Sequence, residues 1–185
     1  AGRAYANRWC VAPGRSVAIF GNNSDAHRTV SDLLEAGVHV SALIDARPEA
    51  TCDLDVPFYP AAQVVNARGR KGLEEIIAET AQGRQKIKAE CLAVSGGWNP
   101  TVHLTCHMNG RPRWDKGLAA FVPTPGSVPG LEVAGAANGA METGACLQSG
   151  VDVATKALRA LGVKAPKAEV PRASDSAYDI MPLWA

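Results

Sequence analysis

Residues 91–107 read CLAVSGGWNPTVHLTCH, and this stretch decides how the chain is organised. Its residues 92–94 form a short apolar run, which is typical of a strand that is buried on both faces. The glycine pair that follows ends the run, because glycine tolerates tight backbone turns, and Pro100 forces the residue before it into extended geometry. The chain therefore leaves one layer of structure here. We expect one α/β unit over residues 16–95 and a different sheet that includes residues 101–162.

The first unit opens with the pattern of a strand, a helix and a second strand. Residues 16–20 read SVAIF and residues 38–44 read VHVSALI, and both runs are apolar enough for buried strands. Apolar residues recur at helical spacing over residues 24–36. Ser24 is the predicted N-cap of this helix, and Gly37 is expected to end it. This order predicts an α/β fold that begins with a Rossmann-like βαβ unit.

Two residues of the βαβ unit suggest a dinucleotide site. Backbone amides near Gly21 could hold a pyrophosphate, and Asp45 at the end of the second strand could bind a ribose. However, the segment GNNSDA departs from GxGxxG, because Asn23 and Ala26 replace the second and third glycines. The other interpretation is a structural Rossmann unit whose ligand site has degenerated, in which Asp45 only begins a turn.

The remainder of the first unit predicts antiparallel strands. Residues 51–60 contain two prolines and no periodicity, so we expect a loop there. A short strand is expected over residues 61–66. Partial alternation over residues 73–80 and 86–90 predicts a β-hairpin, although a helix over residues 73–77 is also compatible with the pattern.

Beyond Pro100 the pattern favours an extended chain. Val102 and Leu104 alternate with polar neighbours, which predicts extended backbone rather than a helix. His103 and His107 are four residues apart and would form a metal-binding pair on a helix. Because the chain is expected to be extended and no third ligand is near in sequence, the sequence disfavours a metal site.

A second strand–glycine–helix pattern lies near the end of the chain. After a short strand over residues 119–122, we expect a strand over residues 131–134, a turn over residues 135–139 and a helix over residues 142–161. Four apolar residues of this helix share one face and are expected to be buried: Leu147, Val151, Ala154 and Leu158.

The two ends of the chain have different patterns. Residues 1–9 predict a helix, since Tyr5 and Trp9 fall four residues apart on one face. Residues 164–185 contain three prolines and predict a linker or an extended strap. Three of its side chains could dock on a partner: Tyr178, Leu183 and Trp184.

Composition excludes several classes of protein. The net charge of +1 argues against nucleic acid or an acidic membrane surface as the main partner, and no apolar run approaches the length of a membrane span. The chain lacks an initiator methionine and a signal peptide, which fits a fragment or a processed chain. The five cysteines are scattered, which fits reduced thiols in a cytoplasmic protein better than disulfides or zinc.

No catalytic constellation is visible, and the best ligand candidate is the pattern over residues 131–150. Amides at a helix N-terminus stabilise anions such as pyrophosphate. Small residues in the preceding turn would let a ligand come close: Gly135, Ala136, Ala137 and Gly139. The alternative is a plain corner between a strand and a helix.

Long motifs resemble one family. LAVSGGWNPTVHLTCH followed by GRPRWD resembles the alpha subunit of the bacterial heterotetrameric sarcosine oxidases. The N-terminal RAYANRW and VAPGRSVAIFGNNSDAHRTVSDLLEAGVHVSALIDARPE are similar to the same subunit, as is the later LEVAGAANGAMETGACLQSG. The resemblance covers nearly the whole chain, in the same order.

The resemblance implies a two-dinucleotide-binding-domain flavoprotein fold of the glutathione-reductase type. It also implies an assembly that demethylates sarcosine to glycine with FAD and FMN, forms hydrogen peroxide and transfers one carbon to tetrahydrofolate. The sarcosine chemistry would belong to the beta subunit and folate binding to a later domain of the alpha subunit. This chain would be an internal, nucleotide-binding part of the alpha subunit that is inactive alone and contacts the other subunits.

The resemblance further implies that this region holds a non-reacting NAD. Ala136 stands where the family fold usually has an aspartate that meets a ribose or ribityl hydroxyl, which weakens FAD as the ligand here. Met141 would supply an apolar contact and Thr143 a hydroxyl in the first helical turn. The expected ligand contacts are Gly135, Ala136, Ala137, Asn138, Gly139, Met141 and Thr143.

The corresponding domain plan has four parts. Residues 1–14 are an N-terminal helix and linker, residues 15–98 an inserted Rossmann-like domain with a β-meander, residues 99–163 the C-terminal part of the first FAD/NAD-type domain, and residues 164–185 a tail. A second hypothesis, from a different class, is a degenerate Rossmann scaffold that docks other subunits of a related amine oxidoreductase and binds no ligand itself.

Overall fold

The computed structural model describes residues 1–164, 166, 168–174 and 177–183. The chain divides into two compact units. The first comprises residues 1–97 together with the described part of residues 179–185, and the second comprises residues 98–178.

The first unit contains a parallel sheet and an antiparallel meander. Its elements are α1 (Gly2–Trp9), β1 (Ser16–Gly21), α2 (Ser24–Glu35), β2 (His39–Asp45), β3 (Phe58–Tyr59), β4 (Gln63–Arg68), β5 (Glu75–Thr80), β6 (Gly83–Lys88) and β7 (Cys91–Ser95). The parallel sheet has the strand order β3-β2-β1-β7, and the meander has the order β4-β5-β6. The predicted βαβ unit is confirmed, with β1 and β2 in parallel register on either side of the α2 crossover.

Strand β1 shows why this sequence makes a two-sided sheet. Val17 and Ile19 pack with the buried face of α2, which includes Val30 and Leu33. Ala18 lies between them in sequence and packs on the opposite face with residues of the meander. Since side chains alternate across a strand, one uninterrupted apolar run supplies both faces. Each fully buried valine, leucine or isoleucine side chain contributes roughly 1.5–3 kcal/mol to folding.

The meander matches the sequence pattern in part. The predicted hairpin is present as β5 and β6, which pair antiparallel, so a helix over residues 73–77 is wrong. The strand expected over residues 61–66 is β4, at Gln63–Arg68. The loop expected over residues 51–60 contains β3, whose two residues pair in parallel with β2. A strand this short has no periodicity to detect, because it exists through its pairing.

The second unit is built from a short helix, a two-stranded ribbon and a long helix. Its elements are α3 (His103–His107), β8 (Arg113–Asp115), β9 (Ala120–Val122), a 3-10 helix (Gly135–Asn138) and α4 (Thr143–Ala160). Strands β8 and β9 pair antiparallel, and the rings of Trp114 and Phe121 meet edge to face across them at 5.1 Å. The ribbon explains Trp114 as a cross-strand packing residue.

Two predictions for this unit are wrong. Residues 102–107 are helical rather than extended: the amide of Cys106 donates to the carbonyl of Val102 at 3.0 Å, and the hydroxyl of Thr105 donates to the same carbonyl at 2.7 Å. Residues 131–134 form no strand, since no strand of the described chain pairs with them. Without a partner an extended segment cannot satisfy its ladder hydrogen bonds, however apolar it is.

Helix α4 occupies the predicted position but not the predicted environment. It runs over Thr143–Ala160 and contains no fully buried residue. Leu147 is 38% exposed, and Ala154 is also exposed, while Val151 and Leu158 are half-buried. The prediction of a buried stripe is therefore wrong for this chain, although the periodicity correctly located the helix.

Candidate functional site

The carboxyl edge of the parallel sheet is the first place that the sequence marked as a nucleotide site. The helix α2 begins there, and its N-cap is Asn23 rather than the predicted Ser24. The fully buried Asn23 side chain accepts from the amide of Asp25 at 3.0 Å and from the hydroxyl of Ser95 at 3.0 Å. Its amide group donates to the carbonyl of Ser95 at 2.8 Å and to the side chain of Asn22 at 2.9 Å. Asn23 thus joins the ends of β1 and β7 to the start of α2.

Gly21 serves packing at this edge. A Cβ atom on Gly21 would lie 2.4 Å from the Cβ of Ala26 and 3.3 Å from the carbonyl oxygen of Ser95. The last residue of β1 and the first turn of α2 therefore approach too closely for any larger residue. Gly21 and Ala26 belong to the segment that departs from the GxGxxG motif. The close contact between β1 and α2 requires both residues to be small.

Asp45 is fully buried at the end of β2, and both of its oxygens are engaged. Oδ2 accepts from His27 Nε2 at 2.7 Å and from Arg47 Nη2 at 2.7 Å. Oδ1 accepts from the amide of Arg47 at 2.9 Å and from its Nε at 3.0 Å. Burial by itself would raise the pKa of Asp45, but the hydrogen bonds from His27 and Arg47 and the charge of Arg47 outweigh it and lower the pKa to about 2. The carboxylate is ionised and has no position left for a ribose hydroxyl.

A segment from the end of the chain reaches the same edge. The carbonyl of Asp179 accepts from the amide of Ser24 at 3.1 Å, and the amide of Met181 donates to the carbonyl of Asn22 at 2.8 Å. The carboxylate of Asp179 accepts from Arg47 Nη1 at 2.9 Å. A recess of about 260 Å³ lies beside these contacts, and its lining includes Ser24, His27, Arg47, Glu49, Thr51 and Asp179.

The second predicted site, residues 135–143, lies in the second unit. Gly135 and Gly139 both have positive φ, 65° and 88°, which non-glycine residues rarely adopt. The amide of Gly135 donates to the hydroxyl of Ser149 on α4 at 3.1 Å, and the amide of Ala140 donates to the carbonyl of Gly135 at 3.1 Å. The structure therefore brings the predicted residues into one closed turn against α4.

The other predicted contact residues surround this turn. Ala136 was expected to end a strand, but it lies inside the 3-10 helix and is exposed. Ala137 and Met141 are half-buried, while Asn138 and Thr143 are exposed. The exposed backbone and side chains at this turn are accessible to a ligand.

The N-terminus of α4 follows the candidate turn directly in sequence. Its N-cap, Glu142, makes no side-chain capping hydrogen bond, because its carboxylate accepts from the amide of Tyr178 at 3.2 Å. A Cβ atom on Gly144 would meet nothing within 4 Å in the described part of the chain. A helix start of this kind suits an anionic group such as a pyrophosphate. Sequence analysis did not single out Gly144, although a glycine in a first helical turn is a recognisable signal for close approach.

A further recess of about 190 Å³ lies in the same unit. Its lining includes Asn138, Thr124, Ser127, Glu132, Asp152 and Lys156. Lys156 pairs with Glu132 at 2.6 Å, so its positive charge is already neutralised. Of the predicted contact residues, Asn138 alone lines this recess.

Histidine and cysteine side chains do not assemble into a metal site in the part of the chain that the structure describes, where no three metal-ligating side chains come together. His103 and His107 do share helix α3, contrary to the expected extended chain. All five cysteines are free thiols, with Cys10 and Cys106 exposed. The thiol of Cys146 donates to the carbonyl of Ala140 at 2.9 Å, next to the candidate turn.

Solved structures share the fold of this chain. L-proline dehydrogenase from P. horikoshii superposes with a TM-score of 0.64 at 22% identity, over 88% of this chain and 29% of that one. Thioredoxin reductase from T. acidophilum gives 0.57 at 20% identity, over 83% of this chain and 53% of that one. The predicted α/β, Rossmann-like fold is confirmed, because this chain shares it with both of these structures.

The curated sequences that are similar to this chain share one name. The chain is 37% identical to the sarcosine oxidase subunit alpha of Rhizobium meliloti (strain 1021), over 98% of this chain and 19% of that protein. It is 32% identical to the subunit of the same name from Corynebacterium sp. (strain P-1), over 98% of this chain and 20% of that protein. No protein-family model matches the chain. The predicted resemblance is confirmed: this chain is similar to sarcosine oxidase alpha subunits and spans about a fifth of their length.

Proposed function

We propose that this chain is the nucleotide-binding-type portion of the alpha subunit of a heterotetrameric sarcosine oxidase. The observation that carries the proposal is the 37% identity to a sarcosine oxidase subunit alpha over 98% of the chain. The fold, of the FAD/NAD(P)-binding oxidoreductase class, supports the same assignment. We further propose, as the resemblance implies, that these 185 residues act as a framework and have no activity of their own.

The whole assembly would oxidatively demethylate sarcosine to glycine, form hydrogen peroxide and transfer one carbon to tetrahydrofolate, with FAD and FMN as its flavins. Its partners would be the other subunits, and its location the cytoplasm. No helix in the described residues is long and apolar enough to cross a membrane.

We assign the domains as the sequence predicted them. Residues 1–14 are a helix and linker, residues 15–98 the inserted Rossmann-like domain, residues 99–163 part of the first FAD/NAD-type domain, and residues 164–185 a tail. The division of the structure after residue 97 supports the central boundary. Tyr178 and Leu183 would dock on a partner; Trp184, the third side chain of that prediction, lies outside the described residues.

Within this framework, the proposed role of residues 135–143 is to hold a non-reacting NAD. Three observations support this position. The turn between Gly135 and Gly139 has a backbone that only glycine adopts readily, the α4 N-cap makes no side-chain capping bond, and Ala136 presents only a methyl group. By contrast, the edge at Asp45 is filled by protein groups, so it does not fit a ribose.

The experiment is the NAD content of the purified full-length subunit with Ala136→Leu. The larger side chain is expected to block the close approach of the ligand and reduce bound NAD at least tenfold, a loss of roughly 1.4 kcal/mol or more of binding free energy. The matched control is Ala160→Leu, an exposed position in the last turn of α4, away from the candidate turn. Circular dichroism must be unchanged in both variants.

The outcomes separate the two hypotheses. Wild-type NAD content in Ala136→Leu would show that the site is elsewhere. A wild-type subunit that carries no NAD and binds none would favour the second hypothesis, a Rossmann scaffold without a ligand. The specific observation behind that second hypothesis is the filled carboxyl edge of the first unit.

A further inference from the structure

The N-terminus of helix α2 is where a Rossmann-like unit would bind a pyrophosphate. Its first backbone amides all have acceptors within the protein. The amide of Ser24 donates to the carbonyl of Asp179, that of Asp25 to the side chain of Asn23, and that of Ala26 to the carbonyl of Asn23. The segment that supplies the first acceptor comes from the far end of the chain.

This segment pairs with the edge as a strand would. Ile180 forms an antiparallel bridge with Asn23, flanked by the bond from Ser24 to Asp179 and the bond from Met181 to Asn22. The side chain of Asn22 also donates to the carbonyl of Met181 at 2.6 Å. Main-chain bonds on both sides of one bridge form a single unit of antiparallel pairing, the contact that β-augmentation repeats when a peptide adds to an exposed edge.

Arg47 fixes the segment from the side. Its guanidinium donates to the buried carboxylate of Asp45 and, through Nη1, to the carboxylate of Asp179 at 2.9 Å. The same Nη1 donates to the hydroxyl of Ser24 at 3.0 Å. Because Asp45 holds the guanidinium in a fixed orientation, Arg47 presents a preformed docking point for the acidic residue of the segment.

We propose that the carboxyl edge of β1 and β2 is a peptide-docking site, occupied by residues 179–181 of this chain in the place where a dinucleotide would bind. The edge holds residues 179–181 through two main-chain ladder hydrogen bonds, and Arg47 recognises the carboxylate of Asp179. Docking fixes residues 179–181 within the first unit, to which they belong. This inference does not rest on NAD at residues 135–143, since the hydrogen bonds of residues 179–181 to the edge involve no residue of that range.

The amide of Ser24 reports this docking selectively. As the first residue of α2, Ser24 has no acceptor within its own helix, so slow hydrogen exchange of its amide depends on Asp179. The experiment is amide hydrogen exchange of the full chain, resolved by residue with NMR. We expect the Ser24 amide to exchange at least about a hundredfold more slowly than an unstructured amide.

Two variants test the docking contacts. Met181→Pro removes the donor to Asn22 and is expected to accelerate exchange at Ser24 at least about tenfold. Asp179→Ala keeps the carbonyl but removes the carboxylate, and is expected to accelerate it about fivefold, since one partner of that pair is exposed. The control is Glu169→Gln, an exposed carboxylate in the same tail but outside the docked segment, which should leave the rate unchanged.

A further experiment tests whether the docked edge binds a nucleotide. NAD is added to the Ala136→Leu variant, so that any effect at Ser24 does not come from the turn at residues 135–143. Unchanged exchange at Ser24 supports the proposal. It is overturned by an unprotected Ser24 amide in the wild type, by equal rates in wild type and Met181→Pro, or by a change in Ser24 exchange when NAD is added.

Discussion

Arg47 holds Asp45 through both sides of its guanidinium, with Nη2 donating to Oδ2 at 2.7 Å and Nε to Oδ1 at 3.0 Å. The acid at the end of β2 is therefore neutralised by a residue only two positions later. In a dinucleotide-binding unit this acid would accept hydrogen bonds from a ribose. Here the same carboxylate stabilises the fold.

The ion pair predicts how stability depends on pH. The pKa of Asp45 is about 2 in the folded protein, below its ordinary value of 3.8. The stabilisation is therefore complete above the ordinary pKa and is lost as the pH falls from about 4 through about 2. Between pH 5 and pH 2, the free energy of unfolding of the wild type should fall by on the order of 2 kcal/mol more than that of Asp45→Asn.

Urea denaturation at both pH values measures this difference. Asp53→Asn is the control, because Asp53 is exposed and the substitution makes the same chemical change away from Arg47. Equal pH dependence of wild type and Asp45→Asn would show that this carboxylate does not carry the stabilisation.

The contact between Gly21 and Ala26 predicts a packing effect. A Cβ on Gly21 would lie 2.4 Å from the Cβ of Ala26, so Gly21→Ala should lower the free energy of unfolding by about 1–3 kcal/mol through overpacking. The control is Gly72→Ala, where a Cβ would meet nothing within 4 Å of the described residues. In urea denaturation, Gly72→Ala should differ little from wild type. If Gly21→Ala behaves the same way, the strand and helix are not in the close contact described.

The spacing of apolar residues along the sequence located much of the fold, because a strand or helix with a strong hydrophobic period can be recognised without its neighbours. The βαβ unit and α4 are such elements. The pattern failed where structure depends on pairing or on distant residues. Strand β3 exists through its bonds to β2, and the exposure of α4 depends on contacts that its own sequence does not reveal. The prediction at α3 failed for a local reason: the hydroxyl of Thr105 donates to the carbonyl of Val102, three residues earlier, and the alternating pattern did not indicate this bond.

The candidate site likewise contains residues that the sequence identified and contacts that it did not reveal. Gly21 and Asp45 were identified from sequence as nucleotide-type positions. The sequence did not reveal that Arg47 occupies the carboxylate of Asp45. It also did not reveal that Asp179, 132 residues beyond Arg47, contacts the same guanidinium. The sequence also named Ser24 as the helix cap, whereas the fully buried Asn23 takes that role because its amide can also bond β7. Hydroxyl and amide caps look alike until the neighbouring strand is known.

Burial of Cys91 predicts an order of thiol reactivity. Burial raises the pKa of the Cys91 thiol, so less of the reactive thiolate is present at pH 8, and β7 restricts access to it. Cys10 and Cys106 are exposed. Iodoacetamide at pH 8, followed by mass spectrometry, should label Cys10 and Cys106 at least about tenfold faster than Cys91. Labelling should equalise in urea; equal rates in the native protein would contradict the described burial.

The docking of α1 on α2 depends on Asp32. Its Oδ2 accepts from Arg3 Nε and from Asn7 Nδ2, both at 2.6 Å. Partial burial would raise the pKa of Asp32, but the hydrogen bonds from Arg3 and Asn7, together with nearby positive charge, lower it. The ionised carboxylate thus anchors two residues of α1, one turn apart. A helix of eight residues is not stable alone in water, so α1 should unfold when it is released.

Asp32→Ala should therefore expose α1 to protease while the rest of the unit stays folded. Trypsin cleavage after Arg8 should be about tenfold faster than in the wild type, the factor for roughly 1.4 kcal/mol of lost anchoring. The control is Glu35→Ala, an exposed carboxylate in the last turn of α2 that has no bond to α1. Asp32→Asn should be intermediate, because it keeps an acceptor oxygen but loses the charge. If Asp32→Ala is cleaved at the same rate as Glu35→Ala, α1 is held by packing at Ala6 and by the pair of Arg3 with Asp25 rather than by the Asp32 carboxylate.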